Sequence, residues 1–150
     1  MGYSLIELMV VLAMTAILSG VAVFNMKDLI LPSSNAHDLV SAQINLVRSK
    51  AISKTRAYLF EPANATSVKA RYRDKCSNTA ESWVEDPSLT MNLPTDAWLV
   101  LDANPNLWWS VCFNSRGQAD NNIFIDIEDE KGETSEIEIL LVGTVGGGAP

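Results

Sequence analysis

Glu7 is the one charged side chain between residues 3 and 24, and an almost unbroken apolar run from Leu8 to Phe24 follows it. A carboxylate at the centre of a membrane helix costs about 2.5–3.5 kcal/mol, so such a group is by default functional. Two kinds of chemistry are open to it. It can cancel a cation that meets it at the edge of the hydrocarbon, because a buried charge is costly alone and much less so when paired. It can also offset the positive end of its own helix, an effect worth under ~1 kcal/mol. A span needs about 20 mostly apolar residues, and this segment supplies them. Only Met1-Gly2 stands ahead of it, without the basic region of an ordinary signal peptide, and Ser19-Gly20-Val21-Ala22 is a weak cleavage site.

Other groups offer different chemistry. Lys69, Arg71, Arg73 and Lys75 alternate with Val68, Ala70 and Tyr72, which on a strand puts four cations on one face. With Arg48, Lys50, Lys54 and Arg56 they could neutralise phosphates, making nucleic acid the alternative partner. The competing reading is a solvated sheet face, or a patch that meets the acidic half of a neighbour. Residues 143–150 carry no basic group, and Glu128, Asp129 and Glu130 would repel a duplex. Asp126, Glu128, Asp129, Glu130 and Glu133 invite a calcium reading, but calcium wants six or more oxygens folded around it. Acids that alternate along strands into a hairpin turn fit an exposed edge better, and no metal or cofactor is expected. His37 is the sole histidine, and nothing places a nucleophile, a base and an orienting acid together, so the chain does not read as an enzyme. Cys76 and Cys112 both follow the apolar segment; in an exported domain they would form a disulfide worth roughly 4 kcal/mol on the chain-entropy model, the alternative being two separate buried thiols.

The elements that position these groups follow from spacing. One hundred and fifty residues allow one modest domain. Residues 1–75 carry nine Lys/Arg and five Asp/Glu (+4), residues 76–150 two and thirteen (−11), and the halves together give the net −7. Such polarity suits head-to-tail packing of like subunits, though a solvated acidic face is commoner. Pro32-Ser33-Ser34 interrupts the first helix. Ala36, Val40, Ile44, Val47 and Ala51 then recur at steps of four or three, a stripe suited to packing on a sheet. Beyond Arg56 the period becomes two, predicting strands at 57–60, 67–73, 97–101, 109–113, 123–127 and 137–142. Residues 102–106 read as a loop and 130–133 as a hairpin turn. Trp108 and Trp109, on a strand, would face opposite sides, one in the core and one partly exposed.

Gly2-Tyr3-Ser4-Leu5-Ile6-Glu7 with its apolar run resembles the type IV pilin and pseudopilin signature. That resemblance implies cleavage by a prepilin peptidase between Gly2 and Tyr3, N-methylation of Tyr3, and a Glu7 that neutralises the amino terminus of the subunit ahead during assembly. The family usually has Phe at the position of Tyr3, and a longer, basic leader. Arg48-Ser49-Lys50-Ala51-Ile52 and Phe113-Asn114-Ser115-Arg116-Gly117-Gln118-Ala119 are similar to segments of the GspH/FimT group of minor pilins and pseudopilins. The resemblance implies an α+β fold, a long N-terminal helix kinked near Pro32 and packed on an antiparallel β head. Residues 1–2 would be residual leader, 3–31 the membrane and filament-core helix, 32–56 an amphipathic helix on the head, and 57–150 the head itself. Implied partners are other pilins in a helical filament, the peptidase, an inner-membrane assembly platform and membrane lipid. The implied location is the inner membrane with a periplasmic head, then a pilus or pseudopilus. Residues 5–11 lean toward the type IV pilus over type II secretion.

Overall fold

The computed structural model describes residues 4–25, 32–105 and 108–148. Gly2, Tyr3 and the segment 26–31 lie outside them; Pro32, Ser33 and Ser34, where the interruption is expected, are described and form the first turn of the second helix. The chain divides after residue 31 into two compact units.

The first unit holds α1, Leu5–Asn25. Its described apolar side chains, from Leu5 to Met14, are exposed. Among the described residues no helix is long and apolar enough to cross a membrane, so insertion of 3–24 rests on its sequence.

The second unit opens with α2, Pro32–Lys54. Pro32 is the first helical residue, where its fixed φ and missing N–H are tolerated. The expected stripe is the helix's buried face: Ala36, Val40, Ile44, Val47 and Ala51 are all fully buried. Burying each larger side chain contributes about 1.5–3 kcal/mol, well above the few tenths that a β-branched residue loses in helix propensity. The helix ends at Thr55, whose φ is +53°. There the N–H of Arg56 donates to Ala51 O at 3.1 Å and that of Thr55 to Ile52 O at 3.2 Å. This is a left-handed helix cap of the kind usually given to glycine.

Two antiparallel sheets follow. The first has β1 (Ala57–Asn64), β2 (Ser67–Arg73), β3 (Val84–Glu85), β4 (Met91–Asn92) and β6 (Val111–Phe113), in the order β3-β2-β1-β6 with β4 also on β2. The second has β5 (Ala97–Leu99), β7 (Ile123–Asp129), β8 (Thr134–Ile139) and β9 (Val145–Gly148), in the order β5-β7-β8-β9. Phe60, Phe113, Ile125, Ile127, Ile137 and Ile139 join the α2 stripe in one core. A short 3₁₀ turn, Pro87–Leu89, buries Leu89.

Several boundaries differ from expectation. β1 runs on through Pro62 to Asn64, past the stretch paired with β6, at a sheet edge where a missing N–H is tolerated. The strand expected over 109–113 begins only at Val111, so Trp108 and Trp109 precede it. Both are half-buried: Trp109 packs 5.6 Å from Phe60, and Trp108 Nε1 donates to Asp102 O at 2.8 Å. The strand expected over 137–142 starts earlier, at Thr134, and stops at Ile139. Leu140 to Gly143 is a turn, closed by Gly143 N–H donating to Leu140 O at 2.6 Å, and Leu141 and Val142 are exposed on it.

Asp129 ties the β7–β8 hairpin to α2. Its carboxylate accepts from the N–H groups of Lys131 (2.9 Å), Glu133 (3.0 Å) and Ser33 (3.4 Å), the last in the first turn of the helix. Burial pushes this carboxyl up, but the hydrogen bonds from Glu133, Lys131 and Ser33 outweigh it and hold it below its ordinary value. Because the folded form binds its proton less readily than the unfolded chain, the stabilisation is present at neutral pH. It is lost as pH falls below about 3.8. We expect Asp129→Asn to lower the melting temperature at pH 7 and to flatten its dependence on pH below 4; equal melting curves for the two proteins at pH 7 would refute this cap.

Gly143 and Gly132 share a left-handed φ of +77° but not the same surroundings. A Cβ on Gly143 would lie 2.0 Å from Gly117 O, whereas one on Gly132 would meet nothing within 4 Å. Gly132→Ala should therefore cost only the conformational penalty, about 1 kcal/mol. Gly143→Ala should cost more, about 3 kcal/mol or above, because backbone must move. Urea denaturation of both variants checks the order.

Candidate assembly and binding surfaces

Ser4-Leu5-Ile6-Glu7 has the spacing of a helix capping box. The Ser4 N–H donates to Glu7 Oε2 at 3.1 Å, and the N–H groups of Glu7 and Leu8 donate to Ser4 O at 3.0 and 3.3 Å. The carboxylate is thus fixed over the first turn of α1, on an exposed apolar helix.

The cations of β2 are largely occupied. Cross-strand register sets Lys69 opposite Glu61 of β1. Arg71 Nη2 donates to Glu61 Oε2 at 2.7 Å, and Lys69 Nζ lies 3.5 Å from Oε1. Arg73 lays its guanidinium 3.9 Å from the centroid of Trp83 and donates to the carbonyls of Lys75 (2.9 Å) and Cys76. Lys75 is exposed. Of the four cations predicted on one face, Lys69, Arg71 and Arg73 lie on β2 and Lys75 lies beyond its end; Glu61 was missed because a strand ending at residue 60 leaves the acid out of the sheet.

A disulfide joins Cys76, after β2, to Cys112 in β6. Together with the Arg73–Trp83 stack it fastens the loop between β2 and β3 to the first sheet.

The two internal segments singled out in the sequence meet in space. Arg48 Nε donates to Gly117 O at 2.9 Å, and its Nη2 to Val142 O at 3.4 Å. Gly117 sits at φ +75° in a turn where Asn114 Oδ1 accepts from the N–H groups of Arg116 (2.8 Å) and Gln118 (3.1 Å). One guanidinium therefore holds the turns after β6 and after β8 against α2.

Near the end of α2, Lys54, Arg56, Tyr58, Tyr72, Glu85, Asp86 and Pro87 line a cleft of about 540 Å³. Asp86 is its hub, accepting from Lys50 Nζ at 3.0 Å, from Ser88 N at 3.1 Å and from Tyr58 OH at 3.5 Å. Burial pushes the Asp86 carboxyl up, but hydrogen bonds from Ser88 and Lys50 bring it below the ordinary range. Burial first, then the neighbouring Asp86 charge, raises the Tyr58 phenol, which stays protonated as a donor. Arg56 lies over the Tyr72 ring at 5.5 Å. Through Asp86, Lys50 of α2 and Tyr58 of β1 are fastened to the 3₁₀ turn. His37 Nδ1 lies 3.3 Å from Asp38 on the same helix.

No family model matches the sequence, and no curated protein matches it. Solved structures do. The type IV minor pilin FimU of Pseudomonas aeruginosa superposes with a TM-score of 0.57 at 12% identity, covering 78% of this chain and 88% of its own. The minor pseudopilin EpsH from the type 2 secretion system of Vibrio cholerae gives a TM-score of 0.57 at 12% identity, over 80% and 98%. The chain has the fold of these minor pilins and pseudopilins.

The Glu61 pairings set an order of stability effects. Arg71→Ala leaves a partly buried carboxylate with one distant lysine and should cost about 1–3 kcal/mol. Lys69→Ala removes a longer, more solvated contact and should cost under about 1 kcal/mol. Chemical denaturation that gave the opposite order would show that Glu61 does not organise this face.

Proposed function

We propose that the protein is a structural subunit of the minor pilin or minor pseudopilin type, carried into a helical filament by its N-terminal helix. The carrying observation is an exposed apolar helix bearing one fixed carboxylate in its first turn, in a chain with the fold of minor pilins and pseudopilins. On this reading residues 3–31 insert in the inner membrane with the head in the periplasm. A prepilin peptidase removes Met1-Gly2, Tyr3 is methylated, and the assembly platform lifts the subunit from lipid into the fibre. Residues 32–56 then join the filament helix to the head at 57–150. Leu39 and Leu46, seven residues apart and exposed on α2 away from its buried stripe, supply apolar surface for neighbouring helices. The resemblance to FimU and EpsH is equal in TM-score, so it favours neither the pilus nor the secretion system. A DNA-binding role gains no support from β2, where Glu61 takes two of the strand's three cations.

Glu7→Gln separates the two chemistries of the carboxylate. Glutamine also closes a capping box, so helix α1 should keep its start while losing the charge. We expect Glu7→Gln and Glu7→Ala alike to reduce incorporation into filaments by tenfold or more, scored by immunoblot of sheared fibres. Incorporation retained by Gln and lost by Ala would mean that the cap, not the charge, is what assembly needs.

A further inference from the structure

Among the described residues of the second unit, nothing packs over the outward Phe124 and Asp126 of the second sheet. β7 turns Ile123, Ile125 and Ile127 inward and Phe124, Asp126 and Glu128 outward. Register sets Glu138 opposite Phe124, Glu136 opposite Asp126, and Trp98 opposite Glu128. Val100, beside Asp126, and Phe124 are 46% and 56% exposed. Among the described residues, none of these four carboxylates enters an ion pair. Like charges directly opposite on antiparallel strands are destabilising, so Asp126 and Glu136 weaken the isolated head. Apolar side chains are exposed among these acids.

The same chain carries the complement. Residues 48–76 hold eight Lys/Arg against two Asp/Glu, a net +6, and residues 96–138 hold two against ten, a net −8. Lys54 and Arg56 are exposed at the end of α2, on the lip of the cleft floored by Tyr58 and Tyr72. The lip offers the Lys54 and Arg56 cations for carboxylates and the half-buried Tyr72 ring, under Arg56, for an aromatic side chain. Of the two acids that also line the cleft, Asp86 is already paired with Lys50 and Glu85 is exposed, while Tyr58 belongs to the core.

We infer that the Phe124–Asp126–Glu136 face of one subunit docks on the Lys54–Arg56 cleft of a second copy of this chain. The two patches are different, so the contact is head-to-tail and extends a row of heads instead of closing a dimer. The contact is separate from Glu7 and does not rest on the reading of α1. Charge opposition makes it fall off with salt.

The test uses full-length protein in detergent micelles, with donor- and acceptor-labelled populations mixed and energy transfer followed from 25 to 300 mM NaCl. Association should weaken at least tenfold across that range. Asp126→Lys/Glu136→Lys should lose it at low salt; Asp126→Asn, which relieves the repulsion from Glu136 without a new cation, should weaken it while melting at or above the wild-type temperature. Lys54→Glu/Arg56→Glu should lose it too, and mixing the two double variants should restore it. Phe124→Ala, which leaves every charge in place, should also weaken association. No association at 25 mM, association indifferent to charge reversal, or no rescue in the mixture would each overturn the proposal. Filament incorporation of Glu7 variants is read separately, so the two ideas fail independently.

Discussion

The structure depends on one constraint: α2 must bury the stripe Ala36, Val40, Ile44, Val47 and Ala51 against both sheets at once. Neither sheet has strands enough to enclose a core by itself, and the helix is the wall they share. Short strands such as β5 and β6, three residues each, persist because Leu99, Val111 and Phe113 land on that wall. The polar fastenings follow the same logic. Asp129 fixes the first turn of α2 to the second sheet, while Gln43 and Lys50 fix its later turns to the Pro87–Leu89 turn. Arg48 holds the turns that leave β6 and β8. Each contact acts at a boundary where a loop would otherwise leave the helix.

What could be read from residues alone was what rests on period. The α2 stripe is fully visible at steps of three and four, and strand 67–73 coincides with β2 because Val68, Ala70 and Tyr72 alternate with cations. The unread parts lack such a signal. β3 and β4 are two residues each and are strands only through pairing with β2. β9 runs Val-Gly-Gly-Gly, a composition that disfavours a strand, and is ordered by β8 beside it. Leu141 and Val142 extended the apolar pattern past Ile139, but Gly143 turns the chain there. Among candidate sites, the alternating cations were legible and their partner Glu61 was not, because the strand read from the period stops at Phe60, one residue short of it. Asp129 sat within an acidic run that hid its role; the signal was its place at the last position of an inward-facing Ile-x-Ile-x-x pattern.

Charge asymmetry in the sequence becomes a division between sheets. Cations gather on α2's later turns and on β2, where Glu61, Asp86 and backbone carbonyls already engage several of them. Acids gather on β7 and β8, where only Asp129, the one turned inward, is matched by donors. Internal pairing thus consumes much of the positive side and little of the negative. A head built so is stable against its own repulsion only because the isoleucines beneath the acids are fully buried, and it presents a surplus of carboxylate to whatever lies alongside.

Glu7 poses the same question at the other end of the chain, and magnitudes decide it. The capping hydrogen bond and the helix dipole together offset about 1 kcal/mol or somewhat more, against about 2.5–3.5 kcal/mol for an acid at the centre of a hydrocarbon span. Position in the first turn lowers that cost without removing it, so a cap accounts for where the carboxylate points better than for why it is charged. A glutamine could serve the cap equally well. Under the pilin-type reading, the remainder is met by the amino terminus of the adjacent subunit, a full positive charge in the same low-dielectric environment, where pairing is strongest. The cap then has a separate use: it holds the carboxylate in one place, so that the incoming charge finds a fixed partner and the register between subunits is set by geometry.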